Sequence, residues 1–285
     1  MNLQNLPYPA RGLIVAPAGK LIIGIDYSQV EPRIASHVSG DKHLQEPYLT
    51  GKDLYSTLAS RVFKVPIEEC GDGSKYRKMM KTGLLAVLYG TSTFTLSKQL
   101  GISVEEAEAF MGDFMTAYPQ LAQFIEDTHH KADTEGYVQT LKGRKRRFIG
   151  HKPVATEYHR ITKRIEGILG RPFKNIWQEQ KVPRELKQKY WSVARQYGRV
   201  SRQSVNAIIQ GTSADVMKIA MINLWKHLET KGEEWKILAT IHDEVLIEVP
   251  ATATPAEIEE LENIMKSALP ISVPYKVDTE VSARW

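Results

Sequence analysis

The 285-residue sequence has a single cysteine, Cys70. No internal disulfide can form, so packing alone must hold the fold, and a reducing compartment is expected. A lone thiol without a paired motif gives no support to thiol catalysis. No apolar run reaches the roughly 18 residues needed to span a bilayer, and no basic-then-apolar leader opens the chain. A secreted or membrane-spanning protein is therefore not expected. Internal repeats and low-complexity linkers are lacking as well.

What is present is ordinary for a globular protein, with 42% hydrophobic and 25% charged residues. The length allows one large core or two smaller ones. The net charge of +5 is unevenly placed. Residues 151–200 hold twelve Lys/Arg and four Asp/Glu, a net of +8, against −3 for the remainder. A polyanion partner and a solvated helical face are both consistent with that concentration.

Apolar periodicity and turn signals order the chain. Leu21–Tyr27 and the two runs flanking residues 242–244 read as strands, as does the stretch at about 275–281. Helices are expected over Val30–Val38, over short pieces of 41–70 with Asp53 as an N-cap, and over Ser74–Leu88 stopped by Gly90. Further helices cover Ser103–Tyr118, which opens with a capping-box pattern, and Gln120–Thr134. Residues 136–150 read as a basic hairpin turning at Lys142-Gly143. Helices broken near Gly170 and Pro183 follow, then a long one over Arg202–Thr230 and another at about 255–267. Strands at both ends with helices between them suggest an α+β core closed by distant segments.

Three patterns carry chemistry. DYSQVEPR (26–33) ends an apolar strand with Asp26, whose carboxylate needs a partner there; alone it reads as a cap or turn residue. RKMMKTGLLAVLYG (77–90) spaces Arg77, Lys81, Leu85 and Tyr89 at i, i+4, i+8 and i+12, a slanting stripe about 18 Å long. That stripe suits a nucleotide, with phosphates on the cations and the base near Tyr89; a solvated amphipathic helix is the plainer alternative. ATIHDEVLIEVP (239–250) puts Asp243 and Glu244 at an apolar hairpin turn. If Asp26 and Asp243 meet, the pair suits two Mg²⁺ about 3.5–4 Å apart, as in phosphoryl transfer; a solvated turn is the alternative.

Together and in this order, the motifs resemble those of the bacterial DNA polymerase I family (family A DNA polymerases). Asp-Tyr-Ser-Gln-x-Glu-x-Arg at 26–33 is similar to its first polymerase motif, Arg-x3-Lys-x7-Tyr-Gly at 77–90 to its second, and His-Asp-Glu at 242–244 to its third. The likeness extends to NLQNLP at 2–7, GKD at 51–53, GYVQT and GR within 136–144, and NAIIQGTSAD at 206–215. It leaves out about 151–200.

The resemblance implies an α+β fold: a palm, built as an antiparallel sheet with packing helices, and helical fingers. The expected parts are palm at 1–53, fingers and basic hairpin at 54–150, a basic helical insertion at 151–201, and palm again at 202–285. It implies a DNA-templated DNA polymerase core that adds dNTPs to a primer 3′-OH by two-metal phosphoryl transfer and releases pyrophosphate. Asp26 and Asp243 would hold two Mg²⁺ (Mn²⁺ substituting), with the Tyr27 carbonyl as a further ligand and Glu244 in support. Arg77 and Lys81 would clamp the triphosphate, and Lys81 would protonate the leaving pyrophosphate. Tyr89 would hold the template-base position, and Glu31 would exclude a ribose 2′-OH. Gln29, Tyr55 and Leu85 join the dNTP set; Leu85 stands where the family usually has Phe or Tyr, and Tyr55 where many members have His. Asn2, Gln4, Arg33, Arg144, Arg202, Asn206, Gln210 and His242 are the expected DNA contacts. Several of them suit the minor-groove acceptors common to every base pair.

Because NLQNLP follows Met1 directly, palm and fingers without thumb or exonuclease domains are expected. The implied partners are primer-template DNA, dNTPs and a separate thumb- or exonuclease-bearing chain, with no membrane. The implied location is the cytoplasm of a bacterial or phage-infected cell. Segment 151–200 carries Tyr158, Trp177, Tyr190, Trp191 and Tyr197 among its cations. It reads as a DNA grip replacing the thumb, as a dock for a thumb-bearing chain, or as a plain surface insertion. Two rivals to the catalytic reading are a non-catalytic or partner-dependent subunit of a split or truncated polymerase and a phage-type single-subunit RNA polymerase. Glu31 and the Asp243-Glu244 pair argue against the latter.

Overall fold

The structure is a computed structural model that describes residues 6–285, so Asn2 and Gln4 lie outside the described residues. After α1 (Tyr8–Arg11) come β1 (Lys20–Tyr27), α2 (Val30–Ser39), α3 (Lys42–Thr50) and α4 (Leu54–Phe63). Then follow α5 (Lys75–Tyr89), α6 (Thr93–Leu100), α7 (Val104–Ala117) and α8 (Pro119–Glu135). A hairpin of β2 (Tyr137–Gln139) and β3 (Lys145–Arg147) precedes α9 (His151–Leu169) and α10 (Arg184–Lys231). The chain ends with β4 (Lys236–Ile241), β5 (Glu244–Pro250), α11 (Pro255–Lys266) and β6 (Val277–Ser282). Among the described residues these elements form two compact units, one of residues 6–37, 48–51 and 212–285, the other of 38–47 and 52–211.

The first unit is built on an antiparallel sheet of order β4-β5-β1-β6. The period-2 alternation of β1 sends Ile23, Ile25 and Tyr27 into the core on one face. There the Tyr27 hydroxyl donates to the Met265 carbonyl at 2.5 Å, and its ring meets Tyr275 edge-on at 5.5 Å. On the other face Ile22 packs with Ile241 and Leu246 beneath Trp285. The strands read from the sequence are all present, joined by the antiparallel pairing that an α+β core requires.

In the second unit one carboxylate starts two helices. Asp41 is 1% exposed. Its Oδ1 accepts from the His43 and Leu44 amides at 3.0 and 3.2 Å, and its Oδ2 from the Gln120 and Leu121 amides at 3.2 and 3.3 Å. It thereby satisfies the orphan N–H groups of α3 and α8. The anticipated caps are also present: Asp53 on α4, the Ser103–Glu106 box on α7, and Gly90 in the left-handed region closing α5, which Ser74 caps at its start. A β-carbon at Gly83 of α5 would collide with the Phe110 ring, so that glycine lets α7 approach closely.

Helix α10 departs from expectation. It begins at Arg184 rather than near 202 and runs unbroken for 48 residues. Leu186, Tyr190 and Val193 keep a helical apolar face on the cluster of Ile161, Ile165, Ile176 and Val182. Pro183 sits just before the first turn, where proline is tolerated, and no proline lies between 184 and 202, so the helix runs on through Gly198. Gly211, in the interior of α10, is explained by its neighbours. A β-carbon there would come 2.7 Å from Thr140 Cγ2, and the Gly211 carbonyl accepts from Arg144 at 2.7 Å.

Asp41→Ala removes two caps at once. Unfolding free energy should fall by about 1–4 kcal/mol, twice the cost of one cap, as read by urea denaturation. A loss no larger than that of a surface substitution would contradict the double-cap reading.

Candidate active site

In the first unit the sheet itself brings the acidic residues together. The Tyr27 amide donates to the Asp243 carbonyl at 3.1 Å, which fixes the end of β1 against the β4–β5 turn. Asp26 stands directly opposite Glu244 on one side and Asp278 on the other, so three strands present a row of carboxylates. Asp243 sits in the turn, hydrogen-bonded by the Ser213 side chain. Gly24 makes room for Glu244, since a β-carbon there would collide with its Oε1. The Trp285 side chain hydrogen-bonds Glu244, and the Arg11 guanidinium lies 4.6 Å over the Trp285 ring.

Backbone strain gathers at the same place. His242 and Gln29 have φ of +54° and +56°, a left-handed conformation that non-glycine residues adopt at a cost of about 1–3 kcal/mol. His242 opens the turn that presents Asp243, and Gln29 precedes α2, which carries Glu31.

The electrostatics follow from the crowding. The Asp26 side chain opens to solvent, yet partial burial raises its carboxyl above the ordinary range, and Asp243 and Asp278 push it further. Burial raises Asp243, with Glu31 adding to the effect. Burial also raises Glu244, despite the bond from Trp285. The Tyr27 amide and then the His242 ring pull Asp26 the other way, and the His242 ring and the Ser213 bond do the same for Asp243. A cavity of about 500 Å³ opens over this row, lined by Asp26, Glu244, Asp278 and Glu280 with Arg11.

Under-compensated carboxylates of this kind fit a divalent cation. Among the described residues no three His, Cys, Asp or Glu side chains converge as a protein-only cage. The fit is therefore to an ion such as Mg²⁺, which typically takes one or two carboxylates and completes its shell with substrate phosphate and water.

The expected phosphate-binding set is in the second unit. Arg77 Nε and NH2 donate to the two Asp53 oxygens at 2.9 and 3.0 Å, and its NH1 pairs with Asp72 at 3.1 Å. The Arg77 guanidinium and the exposed Lys81 ammonium lie 5.6 and 6.0 Å from the buried Tyr55 ring. Burial alone would raise the Asp53 carboxyl, but bonds from Arg77 and Ser56 outweigh it and hold the group at about 2. Leu85 and Tyr89 are half-buried on the same helix. Arg202, Asn206 and Gln210 follow one another along α10. Arg202 packs across Gly90, and Asn206 Oδ1 is buried without a hydrogen-bond partner.

Arg33 takes a different place from the expected DNA contact. It is 6% exposed, donates to the Ser28 and Pro274 carbonyls at 2.9 and 2.5 Å, and stacks 4.3 Å over Tyr48. Its cation is spent on holding main chain inside the first unit. Arg144 is likewise tied through NH2 to α10. Asp278, Ser213 and the Arg77-binding role of Asp53 were not anticipated. Only the strand register reveals Asp278, while the signals for Asp53 were its place in GKD at 51–53 and its reading as a cap, which it also is, accepting from the Ser56 amide at 2.8 Å.

Comparison with known proteins gives concordant results. The profile of DNA polymerase family A matches residues 1–285. The thermostable DNA polymerase I of Thermus filiformis is 32% identical over 290 residues, covering all of this chain and 30% of that protein. DNA polymerase I of Lactococcus lactis subsp. lactis is 30% identical over 298 residues, covering all of this chain and 29% of that protein. A solved structure of the POL domain of Pol1 from M. smegmatis, in complex with DNA primer-template and dNTP, matches with a TM-score of 0.78 at 30% identity. That match covers all of this chain and 44% of the other. The chain thus spans about a third of the length of the curated relatives it matches.

The Asp53–Arg77 pair has a pH signature. The folded value of about 2 lies below the ordinary aspartate value of about 3.9, so the pair's stabilisation is complete above about pH 4 and is lost as pH falls towards 2. Asp53→Asn should flatten that part of the curve of melting temperature against pH. An acid limb as steep as the parent's would mean the pair does not form in solution.

Proposed function

Since the chain belongs to DNA polymerase family A, we propose that it is the palm-and-fingers part of a DNA-templated DNA polymerase, extending a primer 3′-hydroxyl with dNTPs. The observation that carries this reading is the pairing of Asp26 and Asp243 at adjoining strand ends, both raised above the ordinary carboxylate range by burial and neighbouring acids. Their carboxylates and the Tyr27 carbonyl would hold Mg²⁺. When bound, such ions lower the pKa of the primer hydroxyl and neutralise phosphate charge.

In the reaction the primer 3′-hydroxyl gives its proton to solvent, its oxygen bonds to the α-phosphorus, the bond from that phosphorus to the α,β-bridging oxygen breaks, and pyrophosphate leaves. Arg77 and Lys81 take the triphosphate, Arg77 exchanging carboxylate partners for phosphate oxygens. Lys81 places a proton on the leaving pyrophosphate. Glu31, which already raises Asp243, stands against the sugar C2′ and disfavours ribonucleotides. Gln29, Leu85 and Tyr55 shape the nucleotide pocket, and Tyr89 holds the template-base position until the nucleotide enters. Arg202, Asn206, Gln210 and His242 donate to minor-groove acceptors, which checks pair geometry without reading sequence.

Primer extension with Mg²⁺ tests the reading directly. Incorporation of dNTPs well above NTPs is expected, abolished in Asp243→Ala and reduced about 10²–10⁴-fold in Lys81→Ala. Failure of the parent chain to incorporate any dNTP, alone or with a thumb-bearing partner, would refute it. The metal reading has a separate measure. Mg²⁺ at a hundredfold excess over its Kd should stabilise the parent by about 2.7 kcal/mol, and Asp26→Asn/Asp243→Asn should lose that increment.

A further inference from the structure

The second unit holds a groove of about 750 Å³, lined by no α5 residue, between the β3–α9 connection and α10. Arg146 and Arg147 reach it from β3, and Trp191, Arg195 and Arg199 from α10, with Trp177 from the segment between α9 and α10. No carboxylate lines it. All four arginines are exposed, and the two indoles are 48% and 50% exposed with ring centroids 6.4 Å apart.

The groove is rigidly mounted. Asp133 on α8 accepts from His151 and His159 of α9 at 2.8 Å each, and from the Tyr197 hydroxyl of α10 at 3.1 Å. The Tyr158 and Tyr197 rings stack at 3.9 Å just behind. The spacing of Trp191, Arg195 and Arg199 is i, i+4, i+8, so an indole and two guanidiniums line up over about 12 Å of helix. Exposed flat rings interleaved with unopposed cations match a chain that alternates flat bases with phosphates. A duplex hides its base faces by stacking, whereas a single strand offers them.

We propose that this groove binds single-stranded DNA, with bases on Trp177 and Trp191 and phosphates on the four arginines. Its place as a path for the unpaired template rests on the polymerase reading; strand binding itself does not.

The test uses the full chain and a labelled 20-nucleotide oligothymidine, without primer or dNTP, followed by anisotropy and by tryptophan quenching. Trp191→Ala and Trp177→Ala should each weaken binding about tenfold, within the range for one lost stacking platform, and Trp191→Phe should retain most of it. Arg195→Ala/Arg199→Ala should reduce the slope of log K against log salt by about 1.4, at 0.7 per phosphate contact. These side chains are exposed, so unchanged melting temperatures are expected. Unchanged affinity and slope in these variants would overturn the proposal, as would equal weakening for a blunt duplex. A chain that extends no primer, yet loses strand binding in the tryptophan variants, would sink the polymerase reading and leave this one standing.

Discussion

The hydrogen bond from the Tyr27 amide to the Asp243 carbonyl, with the β1–β5 pairing around it, is the constraint on which the first unit depends. The strand period is two, so a slip of one residue would turn Ile23, Ile25 and Tyr27 out of the core. The same slip would move Asp26 from its place opposite Glu244 and Asp278. The register that buries the apolar face is therefore the register that assembles the acids. A mutation that loosens the core would be expected to blur the site as well, because both are read from one ladder.

That arrangement runs against stability in several ways at once. Three carboxylates are held above their ordinary range, so keeping them ionised in the folded state costs free energy. His242 and Gln29 adopt left-handed backbone beside them. Gly24 gives up a side chain so that Glu244 fits. The surrounding packing is tight enough to hold these features: Ile23 and Val245 are fully buried, and Trp285 braces Glu244 from the outer face. Costs concentrated at one end of the central strands of an otherwise well-packed sheet are what a site built to meet charged ligands requires.

Much of this was legible in the sequence, and the reasons differ by element. Strands and caps were legible because they are local: alternation marked β1, S-V-E-E marked α7, and Gly90 marked the end of α5. The meeting of Asp26 with Asp243 needed more than locality, and the order of three motifs supplied it. Arg33 shows the limit. Nothing near it in sequence says that the Pro274 carbonyl and the Tyr48 ring will enclose its guanidinium, since both come from other elements. Asp278 was missed for the same reason, because its importance lies in a cross-strand pairing with Asp26. Helix α10 was cut short at 202 where motif likeness ended, although its apolar period continued back to Pro183.

Arg77 and the groove arginines of the second unit differ in their partners, and under the two proposals made above that difference separates two kinds of phosphate site. Arg77 is held by Asp53 and Asp72, so a phosphate must displace carboxylates to reach it. Such a site discriminates, because a singly charged group gains little by the exchange while a triphosphate brings charge enough to compete. Arg146, Arg147, Arg195 and Arg199 line a groove without a carboxylate. A site of that kind takes any polyanion that fits its shape, with affinity set by salt rather than by exchange. The first suits a step that must choose one nucleotide at a time, and the second suits a strand that must pass through without being read.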